Sequence, residues 1–289
     1  MAEEERFDRK KHSSAFPEQA IRFCLEREGI SASDIHSIAF FWNPRLEVTG
    51  NLKHFFAFFP ESLHLLRAPS GGELTFLRRL RKMRGVGEEF RVRFQLLSAP
   101  SVHFFNHHFC HAASAFYPSP FKEAAILTID GRGEHCSTML SMGSEKGIQP
   151  IETIQVPHSI GHFYAAITDY LGFTSFFEEW KVMGMSAYGR DRYVKQFTDL
   201  LSLDAEGIFR LNLEYFRFHT HGQSSWVSQR FLEKFGPPRG RGKPYGQDDY
   251  DIAFALQKTI ERVGVALAQR LRRFTGAQNL CLAGGVVLN

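Results

Sequence analysis

The chain has no apolar run approaching the roughly 18 residues of a membrane-spanning helix, so no membrane association is expected. Its first residues, Met1-Ala2-Glu3-Glu4-Glu5-Arg6, offer no apolar core for a secretory signal, and the cytoplasm is the expected address. Cysteine is scarce: Cys24, Cys110, Cys136 and Cys281 lie far apart without a C-x-x-C pair. That spacing fits reduced packing thiols and excludes a disulfide framework or a zinc ribbon. A dominant charge is lacking too, since 35 Lys and Arg against 31 Asp and Glu leave a net charge of +4. Without a concentrated patch, no nucleic-acid partner is implied. The one candidate patch is Arg78, Arg79, Arg81, Lys82 and Arg84, followed by Arg91 and Arg93. Its bases interleave with Phe76, Leu77, Leu80, Met83 and Phe90, which reads as the solvated face of an amphipathic helix or as an anion-facing surface. G-x-x-x-x-G-K-[ST], G-x-G-x-x-G and G-x-S-x-G are all missing, so neither P-loop, Rossmann nor nucleophile-elbow chemistry is supported.

What is present is 289 residues, enough for one large domain or two at roughly 150 residues each. A content of 43% apolar and 23% charged residues is that of a globular protein and excludes disorder, a coiled coil or a collagen-like fibre. Phenylalanine is abundant, at 29 residues. The clusters Phe55, Phe56, Phe58, Phe59 and Phe176, Phe177 read as packing or a partner surface rather than a ligand site. No internal repeat is visible.

Helical and extended patterns alternate along the chain, an α/β signature. The charged run from Glu3 to His12 leads through Ser13 and Ser14 to Pro17, which suits a first helical turn ending at Gly29. A strand is expected over 35–42, closed by Asn43 and Pro44. Residues 51–97 read as helices broken at Pro60, at Ser70-Gly71-Gly72 and at Gly85-Val86-Gly87. A strand at 102–105 feeds a helix from His107 to Phe116, stopped by Pro118 and Pro120. Residues 124–130 form a buried strand, and Asp130-Gly131-Arg132-Gly133 is expected to turn tightly into a second strand over 135–142. Two further helices are expected at 161–171 and 251–274, the second with Ile252, Ala255, Leu256, Ile260, Val263, Leu267 and Leu271 on one stripe. The segment 182–189 reads as a backbone-tight loop and 237–244 as a flexible surface loop. A last strand at 279–283 breaks into Gly284-Gly285 close to Asn289, as in an interrupted unit.

Several residues could carry chemistry. His107 and His111 are four apart, so on a helix their imidazoles share a face and could ligate one metal. Asp130 strengthens that reading, because open α/β sheets present ligands at strand ends. Two imidazoles and a carboxylate suit Fe, Mn or Zn rather than Ca. The competing reading keeps His107 as a helix-start histidine and Asp130 as a turn former. His108 lies off the shared face and reads as a support behind the ligands or as structural. Gly131 and Gly133 lack Cβ atoms and would let backbone N–H groups approach a phosphate, and Gly284-Gly285 repeats the device. Together these features suggest an ATPase-like cleft. Lys11, with Arg9 and Lys10, could pair with phosphate or simply be solvated. Cys110 sits beside the histidines in an apolar helix and reads as a packing thiol rather than a nucleophile.

Five segments carry a resemblance: Asn106-His107-His108-Phe109-Cys110-His111-Ala112-Ala113-Ser114-Ala115-Phe116-Tyr117, Asp130-Gly131-Arg132-Gly133-Glu134, Pro157-His158-Ser159-Ile160-Gly161, Lys181-Val182-Met183-Gly184 and Ala283-Gly284-Gly285-Val286. In this order they resemble the O-carbamoyltransferases of nodulation-factor and antibiotic biosynthesis, and the likeness runs nearly end to end, from Glu3 through Lys11-His12 onward. The resemblance implies an actin-like ATPase (ribonuclease H-like) fold related to the tRNA threonylcarbamoyltransferases. It implies a partial first subdomain at 1–100 and a second, incomplete at its C-terminus, at 101–289. It also implies transfer of a carbamoyl group from carbamoyl-adenylate to a hydroxyl of a sugar, aminoglycoside or other natural product. The adenylate would come from carbamoyl phosphate and ATP in a separate C-terminal domain, with release of pyrophosphate. His107, His111 and Asp130 match the family's iron ligands. Asp130, Gly131, Gly133, Gly284 and Gly285 match positions facing the nucleotide, and Lys11 matches a lysine that contacts it.

The departures from that pattern are specific. Family members begin a few tens of residues earlier, with an Asp-x-Ser-Ala-Ala loop and a histidine that serves as acceptor base. They continue past Asn289 to a fourth, aspartate ligand and to the adenylate-forming domain. The chain is therefore expected to be truncated at both ends, with its catalytic base unassigned and the reaction beyond its reach alone. Ala187 stands where the family often has Pro. Two other classes use the same cleft: a metal-dependent hydrolase or sugar-kinase-like ATPase, and a nucleotide-binding module without turnover.

Overall fold

The computed structural model describes residues 2–11, 13, 15–66 and 76–289. The expected break at Ser70-Gly71-Gly72, like His12 and Ser14, lies outside the described residues. The chain is a mixed α/β protein whose residues group into two units, Met1–Pro44 with Leu74–Phe105 and Arg45–Glu73 with Asn106–Asn289. Among the described residues, no helix is long and apolar enough to cross a membrane.

In the first unit, strand β1 (Ser37–Phe40) pairs in parallel with β2 (Ser101–Phe104), with Ser37 opposite Ser101. The helix Glu18–Glu28 ends at Gly29, whose φ of +67° lets its N–H reach back to the carbonyls of Leu25 and Glu26. The basic segment folds as two helices, Phe76–Arg84 and Val86–Arg93, separated at Gly85. Met83 and Phe90 are buried, while Arg91 pairs with Glu88, and Arg93 with Glu18 and Glu89. The solvated-face reading therefore holds for Arg91 and Arg93, whose charges are met within the unit.

Helix α1 (Pro44–Ala57) belongs to the second unit from Arg45 onward, and Pro44 takes the first helical position, which its missing N–H tolerates. The core is a four-stranded sheet in the order β5-β4-β3-β6, made by β3 (Ala124–Gly133), β4 (Cys136–Ser144), β5 (Gly147–Gln155) and β6 (Leu280–Ala283). β3 runs antiparallel to β4 and parallel to β6. Every residue from Ala124 to Ile129 is buried, because helices cover both faces of this central strand. Ala124 and Ile126 pack with Ala112 and Phe116 of helix α2 (His107–Phe116). Ala125, Leu127 and Ile129 pack on the other face with helix α3 (Ile160–Tyr170) and with the C-terminal helix Gln247–Thr275, in a single core that also takes in the helix Glu179–Ser186. Fully buried residues such as Phe163 and Ile167 each contribute about 1.5–3 kcal/mol by leaving water. The helix 247–275 buries its expected stripe and starts four residues early, where Asp249 accepts the Gly246 N–H at 2.8 Å.

Two expectations are corrected, and a strand and a set of loop contacts are added. Asp130-Gly131-Arg132-Gly133 is not a turn: β3 continues through Gly133 with a register shift after Ile129, and the reversal falls at Glu134-His135. Strand β5 was not expected, its polar, mostly exposed edge showing no apolar alternation. The segment 182–189 is largely helix (Glu179–Ser186), and only Gly189 is backbone-tight, since a Cβ there would meet the Tyr250 carbonyl at 2.1 Å. The segment 237–244 is a surface loop held at Arg239. Arg239 donates to the Leu171 carbonyl at 2.6 Å and stacks on Tyr245 and Phe173, with centroid distances of 4.3 and 5.3 Å.

Candidate metal centre

His107 opens α2 and His111 follows one turn later, so both rings emerge on one side, facing the end of β3. The Nε2 atoms lie 3.0 and 2.9 Å from the same oxygen, Oδ2 of Asp130, and 3.0 Å from each other. No other group of His, Cys, Asp and Glu among the described residues converges in this way. Three electron-rich atoms at mutual distances of about 3 Å match the ligand spacing on one face of an octahedral shell with bonds of about 2.1 Å. The donor set, two imidazoles and one carboxylate, is that of a facial triad for iron(II), and the residues present fit such an ion. Side-chain exposures of 11% for His107, 28% for His111 and 25% for Asp130 leave the cluster open on the His111 side. Burial pushes the Asp130 carboxyl up, but hydrogen bonds with His107, His111 and the Gly131 N–H together hold it well below the usual carboxylate range. Asp130 is therefore ionised at neutral pH.

Neighbouring residues fix the histidines. The buried His108 bonds Thr128 Oγ1 at 2.7 Å through Nδ1 and the Cys136 carbonyl at 3.1 Å through Nε2. A carbonyl only accepts, so Nε2 carries the proton, and burial pulls the pKa down to about 4. His108 thereby rivets α2 to the sheet, as its structural reading expects. Asn106 caps α2 by accepting from the Phe109 N–H at 3.1 Å. The carboxylate of Glu134, 1% exposed, accepts from the His107 N–H at 3.2 Å. Burial raises the Cys110 thiol and pushes Cys136 up to about 12, so both stay protonated packing groups.

The other oxygen of Asp130, Oδ1, accepts from the Gly131 N–H at 2.7 Å. Gly284 and Gly285 follow the parallel neighbour β6, so this oxygen and the glycine pair sit together where the parallel pairing of β3 and β6 ends. A Cβ on Gly285 would lie 3.2 Å from Oδ1. Gly133 stands apart from this pair. Its missing Cβ makes room for the His107 ring, whose Cδ2 would otherwise be 2.5 Å away. Lys11 belongs to the first unit, on the exposed turn after the short helix Glu5–Asp8.

Sequence reasoning missed several supporting residues. Ser159 caps α3 and donates to the Gly131 carbonyl at 2.6 Å, while Gly161 lets α3 approach, since a Cβ there would meet the Gly131 nitrogen at 2.5 Å. Both lie in the quoted Pro157–Gly161 segment, but nothing in that segment points to Gly131. Arg132 places Nη2 2.8 Å from both oxygens of the fully buried Glu47. That pair spans 85 residues of sequence, beyond any local pattern.

The fold and site thus describe a mixed α/β protein with a candidate two-histidine, one-carboxylate centre at a sheet end. The whole chain, residues 1–289, matches the model for the carbamoyltransferase N-terminus, and the chain belongs to that family. An uncharacterised protein of a Synechocystis species is 39% identical over 99% of this chain and 47% of its own length. The nodulation protein NolNO of Sinorhizobium fredii is 31% identical over 99% of this chain and 38% of its own. NolO of Bradyrhizobium diazoefficiens, also a nodulation protein, is 34% identical over 64% of this chain and 31% of its own. The chain therefore spans less than half the length of these relatives. Among solved structures, the Aquifex aeolicus Ppx/GppA phosphatase is similar at 14% identity over 72% of this chain and 69% of that one, with a TM-score of 0.25, too low to carry a fold.

Proposed function

We propose that the chain is the transfer part of a carbamoyltransferase, moving a carbamoyl group from carbamoyl-adenylate to a hydroxyl of a small-molecule acceptor. The observation that carries this reading is the His107–His111–Asp130 triangle in a chain of the carbamoyltransferase family. We place it on an actin-like, ribonuclease H-like fold, a reading supported by helices on both faces of the sheet and by the position of the His107–His111–Asp130 cluster where the parallel pairing of β3 and β6 ends. The nodulation relatives NolNO and NolO support a small-molecule acceptor.

His107, His111 and Asp130 would hold a divalent ion, iron(II) by the donor set. Bound there, the ion supplies Lewis-acid polarisation of the carbamoyl carbonyl. The chain's own residues do the rest. Asp130 turns Oδ2 to the histidines and keeps Oδ1 against the Gly131 N–H. Gly284 and Gly285, without side chains, let their backbone pack against the Ile129 carbonyl and Asp130 Oδ1, which brings it beside the oxygen where a nucleotide phosphate is proposed to sit. Gly131 completes the proposed nucleotide contacts within this unit, whereas the space beside Gly133 is taken by the His107 ring. In the transfer, the acceptor oxygen bonds to the carbamoyl carbon as that carbon's bond to the adenylate phosphate oxygen breaks. AMP leaves, and the hydroxyl proton passes to a base outside these residues. Synthesis of the adenylate from carbamoyl phosphate and ATP is assigned to a separate domain, of a size that the longer relatives accommodate.

The test uses the full-length reading frame, loaded with iron(II) and given carbamoyl phosphate, ATP and a panel of sugar and aminoglycoside acceptors. The expected result is carbamoyl-phosphate-dependent pyrophosphate release by both the unaltered protein and His107→Ala/His111→Ala, with carbamoylated product formed only by the first. Pyrophosphate release that ignores carbamoyl phosphate in a folded, metal-loaded protein overturns the proposal in favour of a generic ATPase.

A further inference from the structure

We infer that Glu134 is a positioning residue for the His107–His111–Asp130 centre, its carboxylate holding the first turn of α2 in register with the end of β3. This rests on the metal reading above and deepens it. Three features of Glu134 converge. First, its carboxylate is buried, so it does no work as a surface charge. Its oxygens lie 3.2 and 3.4 Å from the His107 backbone nitrogen, and one lies 3.4 Å from Asn106 Nδ2. Second, Glu134 occupies the hairpin turn with φ of +46°, in the left-handed region that a residue with a Cβ adopts at a cost. A turn that needed only this geometry would be served by Gly or Asn. A buried carboxylate in that place answers the open N–H groups and positive end of α2 instead. Third, the preceding Gly133 lies under the His107 ring, so the hairpin grips His107 by ring and backbone at once.

The functional consequence follows from helix geometry. His107 and His111 are set one turn apart by α2 itself, but where their Nε2 atoms fall relative to Asp130 depends on how the helix sits on the sheet. Glu134 fixes that end of the helix through the His107 N–H, and displacements of about 0.5 Å are enough to spoil a ligand set. Glu134 touches no reacting atom and contributes no metal ligand; it acts through His107.

The test titrates the chelator-treated 289-residue chain with cobalt(II), following the metal's visible absorption, and records a thermal melt for each variant. Glu134→Gly removes the carboxylate and relieves the backbone; cobalt affinity is expected to fall about 10–100-fold in a chain whose melt still shows a cooperative transition. Glu134→Asn also tolerates the left-handed backbone, has too short an arm to reach the amide, and serves if the glycine variant does not fold. Glu134→Gln keeps an oxygen for the His107 N–H and is expected to retain affinity within about threefold. Unchanged cobalt affinity in a folded Glu134→Gly or Glu134→Asn chain overturns the inference and leaves the metal reading standing. Failure of the unaltered chain to bind cobalt, or equal binding by His107→Ala/His111→Ala, overturns both.

Discussion

A Cβ on Gly284 would lie 2.2 Å from the carbonyl oxygen of Ile129, the residue immediately before the candidate ligand Asp130. With φ of +100° as well, Gly284 is forced to be glycine by contact and by conformation together. Gly284→Ala is therefore expected to destabilise the second unit by about 2–4 kcal/mol, the sum of a backbone clash and a disfavoured φ. Urea denaturation checks it, with Gly264→Ala as the control, because a Cβ at Gly264 meets nothing within 4 Å and its helix gains from alanine. Equal midpoints for the two variants would contradict the packing described for the β3–β6 end.

Asp130 divides its two oxygens between the histidines and the Gly131 N–H. Asp130→Asn keeps an oxygen for Gly131 but removes the charge that offsets a cation. Anaerobic purification followed by colorimetric iron analysis is expected to find iron retained by the unaltered chain and affinity lowered by at least about 100-fold in the variant, more than a supporting residue would cost. Iron content indifferent to Asp130→Asn would remove the carboxylate from the ligand set.

The candidate ligands were legible because their signals are local: His107 and His111 share a helix face by spacing, and Asp130 follows a largely apolar run, 124–129. The strand, the helix and the buried stripe of 252–271 were legible for the same reason. What was not legible depends on contacts distant in sequence. The extension of β3 through Gly133 is imposed by pairing with Cys136, against a composition that reads as a turn. Gly184 suggested a tight loop, yet it lies within a helix whose Val182 and Met185 face the core. Arg239 lies in the expected surface loop, but its contacts with Phe173 and the Leu171 carbonyl are too distant in sequence to be read from it.

Arg132 and Glu47 show the same dependence with a measurable cost. Glu47 is wholly buried, and one nitrogen of Arg132 is 2.8 Å from both of its oxygens. Arg132→Met removes the cation that faces the buried Glu47 carboxylate and is expected to cost about 3–5 kcal/mol. Glu47→Leu/Arg132→Met removes both charges and should recover most of that loss, because a buried pair exchanged for apolar groups is often neutral. Thermal melts of the single and double variants decide it: a double variant no more stable than the single would mean that Arg132 acts elsewhere.

The last prediction concerns acid. His219 is surrounded by other histidines: His54 donates its Nε2 proton to the His219 carbonyl at 2.6 Å, and His64 stacks on His221 at 4.1 Å. Burial, with repulsion from His54, His221 and His158, lowers the His219 pKa to about 4, against 6.5 for the free side chain. Burial lowers His54 as well. Between pH 4 and pH 6.5 the unfolded chain then binds more protons than the folded one. Stability from this group is complete above about pH 6.5 and is lost as pH falls toward 4, a loss of about 1–3 kcal/mol after allowance for partial exposure. His219→Phe keeps the ring against Phe58 and removes the proton site. Its stability should fall less steeply between pH 6.5 and 4.5 in urea titrations of folded fraction. An unaltered slope would mean that acid acts on the fold through other groups.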